Sequence, residues 1–245
     1  MRPGVLALVL ALFTSACGGG VLKKEYEYEE ELYLSLDGTA QLNVNASVPA
    51  LVALRGADLD VDPRARMDRD KVRAIFEGVG VSVSTPTFSR RDGRRFVHVR
   101  IDVDDVQALS RVKAFSWSTY RFVRQGESFE YTQVVGPAVS GNAPGVEWTG
   151  NELVAFRMHL PSKIDFHNSP SREVQRGNIL EWEQPLRARL NGEPLELEVR
   201  MQPETILYTT LMLFGGTIVA AAMTFGVVIW WVARRKPSED LQSSM

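Results

Sequence analysis

Three histidines, three spaced aspartates and a run of arginines carry the reactive or charged chemistry of this 245-residue chain. His98, His159 and His167 have no second His, Cys or Glu at metal-ligand spacing, and there is no His-Glu-x-x-His. For His98 and His159 a satisfied structural imidazole is the simpler reading. Asp165-Phe166-His167 could recruit a serine, but a triad is defined by spatial roles and not by proximity in sequence. Asp58, Asp60 and Asp62 have the 1, 3, 5 spacing of a calcium loop. The pattern then fails, with Pro63 where the turn needs glycine and Arg69 where a bidentate glutamate should bind. Glycines 18–20 precede no helix, and the stretch 136–145 lacks the lysine of a phosphate loop. The sequence implies no metal, no cofactor and no enzyme.

Arg90, Arg91, Arg94 and Arg95 flank Asp92-Gly93 at a predicted hairpin tip. A solvated turn is one reading; the other is contact with anionic lipid headgroups, worth about 1 kcal/mol per residue at a membrane surface. The rest of the charge argues against nucleic acid. Of 28 Lys and Arg, four lie outside residues 18–205, and of 30 Asp and Glu, two do, which leaves 24 against 28, a net −4 with the signs interspersed. Releasing counterions from phosphate needs a basic face instead.

The two ends of the chain belong to targeting. Arg2 is a short positive n-region, residues 5–13 are an apolar h-region of nine residues, and Thr14-Ser15-Ala16-Cys17 follows. Nine residues cannot cross a hydrocarbon core that needs about 20, so residues 1–17 read as an export signal. Small-small-Cys resembles the lipobox of bacterial lipoproteins, in which the cysteine is acylated, typically with palmitate. Cys17 is the candidate lipidation site, Thr14 standing where the motif usually has an aliphatic residue. The alternative is an ordinary secretory signal with an incidental thiol. Glycines 18–20 make residues 18–24 a flexible tether. No other cysteine exists, so residues 25–205 hold no disulfide and must depend on a packed core.

Residues 206–232 carry no charge over 27 positions. In a helix they span about 40 Å, against a hydrocarbon core near 30 Å. Trp230, Trp231, Arg234, Arg235 and Lys236 at the far end place the tail 233–245 in the cytoplasm and the domain outside it. The protein is thus expected to be a single-pass protein of the bacterial inner membrane. Gly216 with Ala220, and Ala222 with Gly226, are small-residue pairs at i, i+4 that can bring helices together.

Between these ends, residues 23–36 and 40–46 alternate apolar and polar residues around Asp37-Gly38, the clearest hairpin signal in the chain. A short helix is predicted at 49–54, stopped by Gly56, and another from the cap Asp68 to Glu77. Strands at 79–88 and 94–103 form a second hairpin, a helix follows at 103–112, and 115–124 with 127–135 make a third strand pair. Residues 137–150 read as loop, 152–160 as strand, 161–177 as irregular, and 178–182 and 193–200 as strands. No strand-helix-strand unit carries the continuous apolar run of a buried parallel sheet. The fold class is α+β: an antiparallel sheet built from β-hairpins, two short helices packed on one face, and one C-terminal transmembrane helix.

Residues 159–186 show Leu-Pro-x-Lys-Ile, then Asn168, then Gly177-Asn178-x-Leu-x-Trp182. This succession resembles the LppM-type bacterial lipoproteins, which show a similar Pro-Gly-x-Val, Asn, Asn-x-x-x-Trp order and a similar layout of lipobox, opening hairpin, β-rich domain and terminal helix. Ser162 departs from the pattern. The resemblance implies a non-catalytic α+β domain that binds lipid or glycolipid at the cell envelope, with Pro161 and Trp182 structural. A concave apolar pocket lined by the two hairpins would suit that function, and a solid core would not. The other reading is a structural or assembly partner of an inner-membrane protein complex, acting through the helix and an exposed sheet edge.

Overall fold

The computed structural model describes residues 24–234. The predicted export signal with Cys17, the predicted tether up to residue 23 and the tail from 235 lie outside the described residues.

The first hairpin forms as its alternation requires. β1 (Glu25–Leu34) pairs with β2 (Ala40–Ser47), and the Asp37 carboxylate accepts from the Thr39 N–H (3.0 Å) and hydroxyl (2.7 Å) across the turn. Gly38 takes φ +88°, which a side chain would resist. Tyr28, Leu32, Leu42 and Val44 point to one face and are buried. α1 (Val48–Arg55) follows at once: Ser47 Oγ accepts from the Ala50 N–H (3.1 Å), Pro49 sits in the first turn, and Gly56 closes the helix in the left-handed region. α2 (Arg69–Phe76) is capped by Asp68 and buries Val72 and Phe76.

The predicted strand 79–88 is two strands. β3 (Val81–Val83) and β4 (Thr87–Arg91) each pair with β5 (Arg94–Val103), and the break between them contains Pro86, which has no N–H to give a ladder. The helix predicted at 103–112 is a 3-10 turn, Val106–Arg111, capped by Asp105. β6 (Ser118–Gln125), β7 (Ser128–Val135) and β8 (Glu152–His159) fall where the pattern puts them. The stretch read as irregular holds β9 (Ser162–His167). β10 (Ile179–Pro185) runs on into a helix without a sequence signal, α3 (Leu186–Leu190), and β11 (Leu195–Thr205) continues to the first residue of α4 (Ile206–Arg234).

The strands form two sheets, ordered β10-β8-β1-β2-β5-β3, with β4 also beside β5, and β6-β7-β11-β9. The class is α+β with antiparallel sheets, as the hairpins predict, but β1 and β8 pair in parallel. One core joins the sheets, with Tyr28, Leu42, Val99 and Phe156 from the first and Tyr131, Leu197 and Val199 from the second. Each such large apolar side chain contributes about 1.5–3 kcal/mol of burial.

α4 is long and apolar enough to cross a membrane by length and composition, and none of its most apolar stretch is buried against the domain.

Candidate functional site: an arginine-lined groove

Alternation along the β4–β5 hairpin sends Arg90 and Arg91 to opposite faces. Arg91 lies opposite Arg94, and Arg90 opposite Arg95. On the first face, Arg94 pairs with Glu27 (2.8 Å) and Glu152 (3.3 Å) and lies over the Trp148 ring. Arg91 donates to the Tyr26 carbonyl and stacks on Phe96 at 4.1 Å. On the second, Arg95 is only 5% exposed. It donates from Nη1 to the Ala65 carbonyl (2.6 Å) and from Nη2 to the Asp60 carbonyl, while its Nε is buried without a partner. Of the four arginines expected to form one headgroup patch, three are held by internal contacts and Arg90 alone is exposed.

Arg95 thereby pins the loop 58–68 across the hairpin, and the loop brings arginines of its own. Asp60 accepts from the Asp62 N–H (2.9 Å) and Asp62 from the Arg64 N–H (2.8 Å), two tight turns that project Arg64 and Arg66 outward. Asp58 pairs with Lys71 (2.9 Å). The aspartates that resemble half a calcium loop are thus occupied in shaping this one. Between loop and strand lies an open groove of about 560 Å³, lined by Arg64, Arg66, Arg90 and Arg95 with Met67 and Phe88 as apolar floor. A second opening of about 670 Å³ continues past Arg66 to Arg69, whose guanidinium lies 5.9 Å from the Phe88 ring, and to Asp68 and Asp70. The Asp68 carboxylate caps α2. Among the described residues, no carboxylate is within ion-pair distance of Arg64, Arg66, Arg69 or Arg90. Sequence reading missed the groove because its cations come from segments 25 residues apart; the spacing Arg64-x-Arg66-x-x-Arg69 was the available signal.

The gap between the sheets, bounded by Glu30, Leu42, Tyr120, Gln133, Phe156 and Leu197, holds about 10 Å³, room for one water at most. The apolar pocket expected between the hairpins is a packed core instead. At its centre Arg55 pairs with Glu30, donates to the Tyr28 hydroxyl, and stands 3.2 Å from the centroid of the Trp117 ring. Burial raises the Glu30 carboxyl above its ordinary range despite the Arg55 charge, and raises the Tyr28 phenol well above its own. Arg189, fully buried and 5.2 Å from the centroid of the same Trp117 ring, donates to the carbonyls of Val135, Gly136 and Glu193. Burial, and then the Arg55 charge, push Arg189 down to about 10.

The histidines sit apart. His159 Nε2 is 2.8 Å from Glu31 Oε1 and stacks on Tyr33 at 3.9 Å. Asp165 accepts from Gln202 (3.0 Å), and no hydroxyl among the described residues hydrogen-bonds to Asp165 or His167. One serine–histidine pair went unforeseen: Ser89 Oγ lies 2.7 Å from His98 Nε2, a nucleophile–base distance. Burial, then Arg91, holds that imidazole below its usual pKa. Among the described residues, no carboxylate hydrogen-bonds to the other ring nitrogen to orient it, and no group of three His, Cys, Asp or Glu is gathered for a metal.

On α4, Gly216 and Ala220 line a shallow groove of about 710 Å³ with Glu204, Tyr208 and Met212. Ala222 and Gly226 lie about 120° round the helix at 3.6 residues per turn, so the two small-residue pairs do not form one stripe.

Asn168, Asn178 and Trp182 of the 159–186 segment form a clamp between the sheets. Trp182, 1% exposed, donates from Nε1 to Asn168 Oδ1 (2.9 Å), which also accepts from the Glu198 N–H (2.9 Å), and Asn168 Nδ2 donates to the Glu196 carbonyl (2.9 Å). Asn178, at φ +61°, donates to the carbonyls of Leu160 (2.8 Å) and Ser162 (2.5 Å). The Pro161 carbonyl accepts from the Ile206 N–H (3.0 Å), tying the start of α4 to this clamp.

No protein-family model matches this chain, and no curated protein does. Among solved structures it is similar to the NMR structure of the folded domain of Mycobacterium tuberculosis LppM. The two are 12% identical over 75% of this chain and 94% of that one, with a TM-score of 0.40. A likeness of this degree assigns neither a family nor a function to the chain.

Proposed function

We propose that this chain is a membrane-tethered, non-catalytic binding domain of the bacterial cell envelope that recognises an anionic lipid or glycolipid. α4 crosses the inner membrane, residues 25–205 stand outside the cytoplasm, the tail from 233 lies inside, and an acyl chain on Cys17 adds a second attachment. The observation that carries the binding role is the groove of Arg64, Arg66 and Arg90 over Met67 and Phe88. Exposed guanidiniums without carboxylate partners match the bidentate geometry of phosphate, and an apolar floor suits the less polar part of an amphiphile. The packed core counts against the enclosed apolar pocket expected for this function, so the proposal is narrowed to contact with a headgroup at the surface.

The test is co-sedimentation of the full chain, in detergent-free nanodiscs of phosphatidylcholine, with vesicles of phosphatidylglycerol or of phosphatidylcholine. Binding to the anionic vesicles that weakens as salt rises, and falls about tenfold or more in Arg64→Gln/Arg66→Gln/Arg90→Gln, is expected. Equal binding of both vesicle types would refute the charge-based reading. Intact mass of the membrane-extracted chain, beside Cys17→Ala, reads the acyl-glyceryl increment directly. The second reading, an assembly partner of a membrane complex, draws on the Gly216–Ala220 groove; loss of a stoichiometric partner on Gly216→Leu would favour it.

A further inference from the structure

The arginine groove and the transmembrane helix lie at opposite ends of the domain. The hairpin tip that carries Arg90 and Arg95 is fixed beside the first residues of β1 and β8, because Arg94 pairs there with Glu27 and Glu152. β8 runs from that end, Glu152 beside Glu25, to His159 beside Tyr33. Two residues on, the Pro161 carbonyl binds the first N–H of α4. The seven steps of strand from Glu152 to His159, at about 3.3 Å each, separate the two ends by about 23 Å. The headgroup layer on one side of a bilayer is only about 5–8 Å deep.

The domain has little freedom to lie down and close that gap. β11 passes into α4 with no residue between Thr205 and Ile206, and the helix leaves the domain with its most apolar stretch unburied, so it does not turn back along the sheets. The near end has cations of its own for the host bilayer: Lys163 on β9 and Arg124 beside the β6–β7 turn, both exposed. The far groove adds a buried Arg95 whose Nε has no partner among the described residues and which lines the opening.

We infer that the groove takes its ligand in trans: a phosphate-bearing headgroup presented by a surface facing the host membrane, and not a lipid of the bilayer that holds α4. This rests on the binding role proposed above and adds the side from which the ligand comes. The guanidiniums of Arg64, Arg66 and Arg90 grip the phosphate, and Met67 and Phe88 meet the glyceryl part of the same headgroup.

The experiment uses the full chain reconstituted into vesicles, with phosphatidylglycerol placed either in those host vesicles or in separate acceptor vesicles, the other set being phosphatidylcholine. Two signals are read: vesicle clustering by light scattering, and protection of the Arg64–Ala65 and Arg66–Met67 bonds from trypsin. The expected result is clustering that appears only with anionic acceptors and drops about tenfold or more in Arg64→Gln/Arg66→Gln/Arg90→Gln with an unchanged melting temperature, together with protection that appears only with those acceptors and weakens in Arg90→Gln, which leaves both cleavage sites in place. Protection by host phosphatidylglycerol without clustering would overturn the trans assignment and leave the binding role standing. No protection by either placement would overturn both. Protection by soluble glycerol phosphate, with none from acceptor vesicles, would replace the lipid surface by a free phosphate ester. Clustering that survives in the triple variant would remove the groove from the account.

Discussion

Arginine is used in two ways in this domain. Arg55, Arg94, Arg95 and Arg189 are drawn into or against the core, and each is met by carboxylates, carbonyls or aromatic faces. Arg64, Arg66, Arg69 and Arg90 stand in solvent with no carboxylate within ion-pair distance among the described residues. A desolvated guanidinium is tolerable only with partners, so the first group reports on how the fold is held. An exposed guanidinium asks nothing of the fold, so three or four of them gathered from separate segments around one opening report on what the surface meets. The substitutions below either break that division or sharpen it.

The largest effect is expected at the centre of the first group. Glu30→Ala leaves the Arg55 guanidinium buried with only the Tyr28 hydroxyl and two aromatic rings, and Arg55→Ala leaves Glu30 buried beside Tyr28 and Gln133. Either single removal is expected to cost about 3–5 kcal/mol, read as guanidinium-induced unfolding of the full chain in detergent by tryptophan fluorescence. A loss under about 1 kcal/mol would mean that the pair is hydrated, and the division between the groups would fall. Asn168→Ala comes next. It strips partners from the buried Trp182 indole and the Glu198 N–H at once, for an expected cost of about 1–3 kcal/mol, and Asn168→Asp should recover part of it because Oδ acceptance survives.

A smaller effect separates two carboxylates that share Arg94. Burial disfavours ionisation of Glu152, but the N–H groups of Thr149 and Gly150, with Arg94, outweigh it and hold the carboxyl below its ordinary 4.5. Its contribution is therefore complete above pH 4.5 and is lost as pH falls through the depressed folded value. Burial wins at Glu27, whose carboxyl is raised, so that group costs stability as pH rises from 4.5 through its folded value. Glu152→Gln should flatten the acid side of the stability curve, and Glu27→Gln should lift the neutral side. Parallel curves for both variants would show that the hairpin tip is not closed around Arg94.

Local rules made much of this fold legible. Alternation around Asp37-Gly38, the cap Asp68 and the terminator Gly56 each act within a few residues, and each is where the sequence puts it. What local rules cannot carry is long-range pairing. β8 joins β1 in parallel across more than a hundred residues, and β9 hides in a Pro- and Ser-rich stretch because its partner, β11, lies beyond the next strand and helix. The candidate site was half legible for the same reason. The run 90–95 reads as one patch in sequence, yet period-two geometry splits it between two faces, and only the face of Arg90 and Arg95 meets Arg64 and Arg66, with Arg90 alone of that pair exposed. The motif residues Asn168, Asn178 and Trp182 were legible as a set, and the structure adds what they do in the fold, which is to clasp two sheets.

The smallest expected effect on stability is the sharpest test of the division. Among the described residues Arg64, Arg66 and Arg90 make no ion pair, so replacing each by Gln removes charge from solvent and leaves nothing there buried without a partner. Each is expected to shift unfolding by less than about 0.5 kcal/mol, and the three together to leave the melting temperature of the full chain nearly in place. Removing three like charges from one rim relieves mutual repulsion, which biases the sign toward slight stabilisation at low salt and toward none at high salt. Arg95→Gln, one side chain deeper in the same groove, is expected to do the opposite, releasing the Asp60 and Ala65 carbonyls and loosening the loop that carries Arg64 and Arg66. If the rim triple destabilised as strongly as Arg95→Gln, the exposed arginines would belong to the fold after all, and the groove would lose its standing as a surface kept for a ligand.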